Sequence, residues 1–209
     1  MSGYCIPAGA GEAEFTEKRS RFLGHVRPVE SEEEARAFIA DTKKEFYDAR
    51  HNCWCYRLQD GPERYSDDGE PQGSAGLPML EVFRREGVTN CVCVVTRYFG
   101  GVLLGTGGLL RAYTKSARDA LEAAGRARVD RWLRLEVRCP YGLLERVKNE
   151  LAALEGLVES MDYGADVALT LLLGEDKGDA FAARLTDLSG GSLRARALGE
   201  SFRAVPIDR

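Results

Sequence analysis

The chain has 209 residues, 44% of them hydrophobic, and a formal net charge of −4. This length fits one large domain or two small ones with a real core, and the negative charge argues against a protein that coats nucleic acid with its whole surface. Residues 1–15 lack the basic and apolar regions of a secretory signal, and no later stretch is apolar enough to span a membrane. We therefore expect a cytoplasmic protein without a membrane partner.

In the N-terminal half, hydrophobic periodicity predicts a mixture of strands and helices. Ser31 has the character of an N-cap, and Glu34 three residues later predicts a helix that runs to about Phe46. Residues 90–96 form the clearest buried strand and residues 107–124 the clearest amphipathic helix. The other predicted elements are strands at residues 21–26 and 51–58, a loop at residues 60–76 and a short helix at residues 77–86.

After Gly125 the pattern of elements begins again. The predicted elements are strands at residues 132–138, 156–162, 166–173 and 192–198, with helices at residues 141–154 and 177–188. This β-α-β-β-α-β order is the signature of a ferredoxin-like sandwich. We predict an α+β protein in which residues 1–129 form one domain and residues 130–209 form a second.

Two pairs of cysteines are candidate metal ligands. Cys53 and Cys55 form one pair, Cys91 and Cys93 the other, and side chains two residues apart in a strand share a face. If the strands were neighbours, four thiols would converge. Structural zinc usually takes a C-x-x-C knuckle, and residues 91–95 form a buried run, so we expect core residues rather than a zinc site.

The most informative segment is T-R-Y-F-G-G-V-L-L-G-T-G-G-L-L-R at residues 96–111, in which five glycines separate a strand from a helix. Such a turn can present backbone N–H groups to an anion. Thr106 stands where a P-loop needs lysine, and Leu110 stands where a dinucleotide motif needs its third glycine, so neither motif is complete. The candidate phosphate-binding or nucleic-acid-binding residues are Arg97, Gly100, Gly101, Gly105, Gly107, Gly108, Arg111 and Lys115. In the alternative interpretation, the glycines only form a tight turn.

Charge is unevenly distributed around this segment. Residues 87–118 contain four cations and no Asp or Glu, whereas residues 60–70 contain five acids and one arginine. The local charges are therefore +4 and −4. A basic helix face beside an acidic loop is suited to a phosphate and a metal or polar partner, although two solvated faces would show the same pattern.

The acidic loop is the second candidate for chemistry. Its carboxylates could hold Mg²⁺ or act as acid and base, and His51 could act as a base, a proton donor or a ligand. The candidate catalytic residues are His51, Asp67, Asp68 and Glu70. Turn formation and a structural histidine are the alternatives. We predict no cofactor, and Mg²⁺ is the metal considered at this loop.

Three ordered blocks resemble the YigZ/IMPACT family. They are R-H-N-C at residues 50–53, Y-S-D-D-G-E-P-Q-G-S-A-G-L-P-M-L at residues 65–80, and R-Y-F-G-G-V-L-L-G-T-G-G-L-L-R-A-Y at residues 97–113. The resemblance covers most of residues 15–125. Residues 133–198 resemble the smaller second domain of the bacterial members.

The resemblance implies an N-terminal domain like domain IV of elongation factor G, a ribosomal-protein-like β-α-β fold. It also implies a ferredoxin-like C-terminal domain like domain V of that factor. Both likenesses point to contact with RNA or the ribosome. Eukaryotic relatives are regulators of translation under amino-acid stress that work through a protein partner, and they carry an extra partner-binding domain that has no counterpart in this sequence.

We therefore predict a protein that binds nucleic acid, with RNA favoured, and that assists or regulates translation. The glycine turn would bind phosphate with help from Arg97, Arg111 and Lys115. The aromatic residues considered for base stacking are Tyr65, Tyr98, Phe99 and Tyr113. Two alternatives remain: an enzyme acting on a small phosphorylated or nucleotide substrate, and a protein-interaction module in translation stress control. Convergence of His51, the acidic loop and the glycine turn in one cleft is the deciding observation.

Overall fold

The computed structural model describes residues 3–207. It divides into two compact units: Tyr4–Val129 with residues 204–207, and Asp130–Arg203 with Gly3. Each unit combines helices with antiparallel strand pairs, so the predicted α+β class is confirmed. Within the described residues, none of the helices has both the length and the apolar content needed to cross a membrane.

The N-terminal unit contains a five-stranded antiparallel sheet and three helices. Its elements are β1 (Tyr4–Pro7), β2 (Gly11–Glu17), β3 (Ser20–Pro28), α1 (Glu32–Glu45), β4 (His51–Arg57), β5 (Glu63–Ser66), α2 (Gly76–Arg85), β6 (Cys91–Tyr98), α3 (Thr106–Ala124) and the first residues of β7 (Arg126–Cys139). The main sheet has the order β2-β3-β6-β4-β5, and every neighbouring pair is antiparallel. β1 pairs separately with the start of β7.

The central strand β6 is buried on both faces. One core cluster joins Cys93 and Val95 to residues of α2 and α3, and another joins Val92 and Val94 to residues of α1. Side chains of a strand alternate between faces, so a strand covered on both sides reads as a continuous apolar run. This explains why residues 90–96 gave the clearest strand signal.

The helix signals also correspond to local structure. Ser31 caps α1 as predicted, because its hydroxyl accepts a hydrogen bond from the Glu34 amide at 3.2 Å. The Glu34 carboxylate reaches back to the Glu30 amide at 2.8 Å. The periodic apolar positions of α3 form its buried face, which includes Leu109, Tyr113, Ala117 and Leu121.

Three strands have no counterpart in the sequence analysis. β1 and β5 have four residues each, too few to establish a period of two, and β5 lies inside the segment predicted as a loop. β2 is an edge strand with mostly polar residues. Edge strands are commonly short or charged, which prevents unwanted pairing and also weakens their sequence signal.

The C-terminal unit contains the remainder of β7, α4 (Leu144–Ala152), β8 (Leu157–Tyr163), β9 (Val167–Gly174), α5 (Gly178–Ser189) and most of β10 (Ala195–Pro206). Its strand order is β10-β7-β9-β8. Leu151 of α4 and Phe181 of α5 are buried in one cluster with Val137 and Leu171 of the sheet. This unit therefore has its own hydrophobic core.

We predict that residues 130–209 fold without the rest of the chain, because that core is internal to the unit. The isolated fragment should be soluble and should unfold cooperatively in urea. Phe181→Ala should lower its free energy of unfolding by about 3–5 kcal/mol. Phe202, which is 60% exposed, provides the matched control, and Phe202→Ala should have an effect of about 0.5 kcal/mol or less. A disordered fragment from a foldable full chain would contradict the prediction.

Candidate functional site

A cleft of about 330 Å³ brings together three distant parts of the N-terminal sequence. Arg50 and His51 come from the start of β4, and Glu70 comes from the acidic loop. Arg97 comes from β6, and residues 103–106 come from the glycine turn. His51, the acidic loop and the glycine turn therefore lie in one cleft.

A buried ion pair joins the acidic loop to the central strand. Arg97 Nη1 lies 2.6 Å from Glu70 Oε1, and the two side chains are only 5% and 4% exposed. The Tyr113 hydroxyl donates to the same carboxylate oxygen at 2.9 Å. Burial raises the pKa of Tyr113, which keeps this hydroxyl protonated as a donor. Arg97 Nη2 donates to the Ser20 hydroxyl at 3.3 Å.

Arg97, which the sequence suggested as a phosphate contact, makes several contacts inside the protein. Its guanidinium carbon lies 5.5 Å from the ring centroids of both Phe22 and Phe99. Its two terminal nitrogens bind Glu70 and Ser20. The buried Nε has no hydrogen-bond partner within the described part of the chain. Arg97 lines the cleft, and two of the five N–H groups of its guanidinium are bound inside the protein.

His51 is held in a defined orientation. Its Nδ1 lies 2.8 Å from the carbonyl oxygen of Asp68. A carbonyl can only accept, so Nδ1 carries a proton and donates it to this bond. Nε2 lies 3.9 Å from Glu70 Oε1, and the side chain is 12% exposed. The second ring nitrogen is thus available near the buried carboxylate.

Asp67 organises the acidic loop. Its Oδ1 accepts hydrogen bonds from the amides of Ala75 and Gly76 at 3.0 and 2.8 Å. Its Oδ2 accepts from the Gly73 amide at 2.8 Å. Both oxygens are therefore bound to the backbone at the start of α2, which leaves Asp67 outside the lining of the cleft.

Asp68 also makes structural contacts. Its Oδ1 binds Lys43 Nζ at 2.6 Å, and its Oδ2 accepts from the Asn52 amide at 2.7 Å. Residues 3–207 contain no group of three or more His, Cys, Asp or Glu side chains placed to hold a metal ion. The loop considered for Mg²⁺ therefore does not fit that ion, because the oxygens of both aspartates are used by backbone donors and a lysine.

The cysteines belong mainly to the core. Five of the six are buried, and Cys5 is partly exposed. Cys55 and Cys93 are direct cross-strand neighbours, but Cys53 lies opposite Val95 and Cys91 lies opposite Arg57. The four thiols therefore do not form one cluster within residues 3–207. Burial raises the pKa values of Cys53, Cys55 and Cys91. These thiols resist the ionisation that a metal ligand or a nucleophile requires.

Gly100 has a packing role in the glycine turn. Its amide donates to the Ser20 hydroxyl at 3.2 Å. A Cβ at this position would lie 2.0 Å from the carbonyl oxygen of Arg19, so only glycine permits this approach to the β2–β3 hairpin. Gly101 has open space around it, and Gly105 takes a φ of +73° as the residue before α3.

The remaining glycines place the start of α3 beside the cleft. The first intrahelical bond runs from the Leu109 amide to the Gly105 carbonyl at 2.9 Å. The amides of Thr106, Gly107 and Gly108 therefore have no acceptor inside the helix. The first turn contains no acidic residue, and a helix start carries about half a positive charge. This end of α3 favours an anion.

Arg111 and Lys115 lie on a neighbouring surface. They line a shallow pocket of about 210 Å³ together with Lys18 and Gly108. Lys115 pairs with Asp119, and its Nζ lies 5.0 Å from the ring centroid of Phe15. The predicted phosphate-binding residues thus fall into two adjacent groups, one in the cleft and one along α3.

Three exposed cations were absent from the predicted site. Lys18 and Arg19 form the two-residue loop between β2 and β3, and Arg50 lies 5.6 Å from the Phe99 ring centroid. Arg50 could have been found as the first residue of the R-H-N-C motif. Lys18 and Arg19 could have been found as two adjacent cations at the turn before β3. We use the name basic rim for the cations around the glycine turn: Lys18, Arg19, Arg50, Arg111 and Lys115.

The aromatic candidates for stacking differ in accessibility. Phe99 is 38% exposed and lines the cleft, and Tyr65 is 46% exposed. The Tyr98 hydroxyl donates to Asp48 at 2.8 Å. Tyr113 is fully buried, so it cannot stack on a base. The stacking role predicted for Tyr113 was wrong, because its position in α3 faces the core.

Comparisons with known proteins give a consistent result. Residues 18–121 match the family model of the Impact N-terminal domain, and residues 137–192 match a domain of unknown function, DUF1949. IMPACT family member YvyE of Bacillus subtilis is 38% identical, with 91% of this chain and 89% of the relative covered. IMPACT family member YigZ of Escherichia coli is 36% identical, with coverage of 96% and 100%. A crystal structure of a hypothetical protein has a TM-score of 0.60 at 35% identity, with coverage of 95% and 98%.

Removing the charge of Glu70 should destabilise the N-terminal unit, because Arg97 would remain buried without its anion. We expect Glu70→Gln to lower the free energy of unfolding by about 3–5 kcal/mol in urea denaturation. The Arg21–Glu14 pair is exposed, so Glu14→Gln is the matched control and should leave stability essentially unchanged. Equal effects of the two substitutions would show that the buried pair has no special structural role.

Proposed function

The chain belongs to the IMPACT family, and from that premise we propose that it binds RNA through the basic rim and assists or regulates translation. The single observation that carries this proposal is the arrangement of the rim. Lys18, Arg111 and Lys115 line a pocket with Gly108. Arg50 lines the cleft with Gly105, and the Arg19 backbone packs against Gly100, in a protein whose net charge is negative. Local positive charge of this kind supports contact with phosphates.

The rim combines two kinds of phosphate donor with one exposed ring. Arg111 and Lys115 lie one helical turn apart on α3, and the unpaired amides of Thr106 and Gly107 lie at the same end of the helix. Phe99 offers a ring on which a base can stack. Contacts of the cations with RNA phosphates, together with stacking of a base on Phe99, favour a single strand over a duplex. The base faces of a duplex are covered by their neighbours.

The β2–β3 hairpin, whose loop carries two cations of the basic rim, has an unfavourable backbone conformation. Lys18 and Arg19 have φ values of +44° and +66°, and the pairing of Glu17 with Ser20 leaves a two-residue loop. Positive φ at both loop positions is the geometry of a type I′ turn, for which Asn-Gly is the preferred sequence. Strain retained in a turn is a reason to look for a functional role, and two projecting cations supply one.

The translation role rests on the family and on two fold likenesses. We propose that the N-terminal unit resembles domain IV of elongation factor G. We also propose that the C-terminal unit is a ferredoxin-like sandwich, which its strand order and two helices support. Both likenesses favour RNA or the ribosome as the partner in the cytoplasm. A protein partner in translation control is the competing outcome of the tests below.

Charge reversal on α3 tests the proposal. Arg111→Glu combined with Lys115→Glu should weaken binding of a labelled single-stranded RNA and reduce the salt dependence of the affinity. Each lost phosphate contact should change the slope of log K against log salt by about 0.7, so two lost contacts change it by about 1.4. Affinity should be measured by fluorescence anisotropy at several salt concentrations.

The matched control reverses two exposed cations away from the rim. Lys44 and Arg85 lie in the last turns of α1 and α2, and Lys44→Glu with Arg85→Glu changes the net charge equally. This control should keep the parental slope. Equal RNA affinity of the parent and the α3 variant, or binding without salt dependence, would contradict the proposal. Ribosome association that survives the α3 variant would favour a protein partner.

A second prediction separates stability from binding at the hairpin. Lys18→Asn with Arg19→Gly installs the preferred type I′ sequence, so it should raise the free energy of unfolding by roughly 1 kcal/mol. The same change removes two cations and should lower RNA affinity. Urea denaturation and anisotropy measure the two effects. A variant that gains stability but keeps full RNA affinity would remove the hairpin from the binding surface.

A further inference from the structure

We propose that the cleft, which shares Arg50 with the basic rim, is a site for a phosphate monoester attached to an apolar or aromatic group, of which a nucleoside monophosphate is the simplest example. This inference does not require the basic rim to bind RNA. A volume of about 330 Å³ falls within the range of small-molecule sites. The cleft therefore has room for a discrete ligand in addition to the surface that the rim provides.

The charge balance of the cleft favours a compact anion. Glu70 is the carboxylate that lines it, and the negative charge is offset by Arg97 at 2.6 Å. Arg50 then contributes an exposed cation, and the start of α3 adds about half a positive charge. The uncompensated charge is positive. A monoester carries up to two negative charges, so it gains more from this field than a diester does.

The donors in and beside the cleft point to oxygen atoms of a ligand. Thr106 lines it, and the amides of Thr106, Gly107 and Gly108 are the unbonded amides of the α3 first turn. Arg97 lines the cleft as well, but its terminal nitrogens bind Glu70 and Ser20 and its Nε is enclosed. Arg50 is therefore the exposed guanidinium that a ligand can reach.

The opposite wall suits the organic part of such a ligand. Phe99 is 38% exposed and Leu103 is 83% exposed, and both line the cleft. Pro71 and Leu109 extend the apolar surface. Arg50 lies against the Phe99 ring, so a planar group there would contact a ring and a guanidinium. An isolated inorganic phosphate would use the donors and leave this wall uncovered.

Two sources can supply this chemistry: a free nucleotide and the terminal phosphate of an RNA strand. Titration of the full chain with adenosine 5′-monophosphate, adenosine and inorganic phosphate, followed by amide NMR, tests the shared chemistry. The nucleotide should shift the amide signals of Thr106, Gly107 and Gly108. Adenosine should bind at least about tenfold more weakly, because it lacks the charge-assisted contacts. A phosphorylated oligonucleotide compared with its hydroxyl-ended counterpart identifies the strand-end source.

A backbone substitution isolates the amide contact. Proline is tolerated at the first position of a helix and removes one N–H, and the preceding Gly105 has an extended ψ of 164° that proline accepts. Thr106→Pro should therefore weaken nucleotide binding about threefold to tenfold beyond Thr106→Ala, which removes only the hydroxyl. Arg50→Ala should lower the affinity for the nucleotide about tenfold.

The two proposals share Arg50, and substitutions on α3 outside the cleft distinguish them. Arg111→Glu with Lys115→Glu should change nucleotide affinity less than about twofold, since those residues lie outside the cleft. Binding of adenosine as tightly as its monophosphate would overturn the inference. So would equal affinities of Thr106→Pro and Thr106→Ala together with an unaffected Arg50→Ala. Loss of RNA binding without loss of nucleotide binding would overturn only the proposed function.

Discussion

The buried pair of Arg97 and Glu70 is the interaction on which the N-terminal unit depends. It connects the central strand to the acidic loop, and the same carboxylate accepts from Tyr113 of α3. The same guanidinium reaches Ser20, whose hydroxyl also accepts from the Gly100 amide. Four segments that are distant in sequence therefore meet through one pair of charges. Neither charge can be removed alone without leaving the other unpaired in a low-dielectric interior.

Burying the charges of Arg97 and Glu70 costs free energy of desolvation. The contacts of the pair show which arrangement of side chains this cost maintains. The guanidinium lies 5.5 Å from the ring centroids of both Phe22 and Phe99, and Phe99 lines the cleft beside the glycine turn. Glu70 lies near His51 Nε2, while the Asp68 carbonyl fixes the other ring nitrogen. An apolar replacement of the pair could give an equally stable core. It would not hold a donor, an imidazole and an aromatic ring around one cleft.

Local signals predicted the elements, and non-local contacts determined the site. The Ser31 cap, the buried run of β6 and the periodicity of α3 were readable because each depends on neighbours within a few residues. Whether His51, the acidic loop and the glycine turn converge was left open by the sequence, and all three line one cleft. Arg97 was predicted as a phosphate contact without a protein partner, since nothing nearby in the chain reveals Glu70, 27 residues earlier. Arg50 and the Lys18–Arg19 loop joined the site only through tertiary packing.

The carboxylate of Asp67 has a consequence for the kinetics of any ligand that enters the cleft. The segment between β5 and α2 has no regular structure, yet one side chain binds two of its amides and the first amide of α2. This wall of the cleft is therefore already ordered before a ligand arrives. Little conformational entropy remains to be lost on association, so the free energy of contact is retained as affinity. Association should then follow diffusion and electrostatic attraction, with no slow loop-closing step before capture.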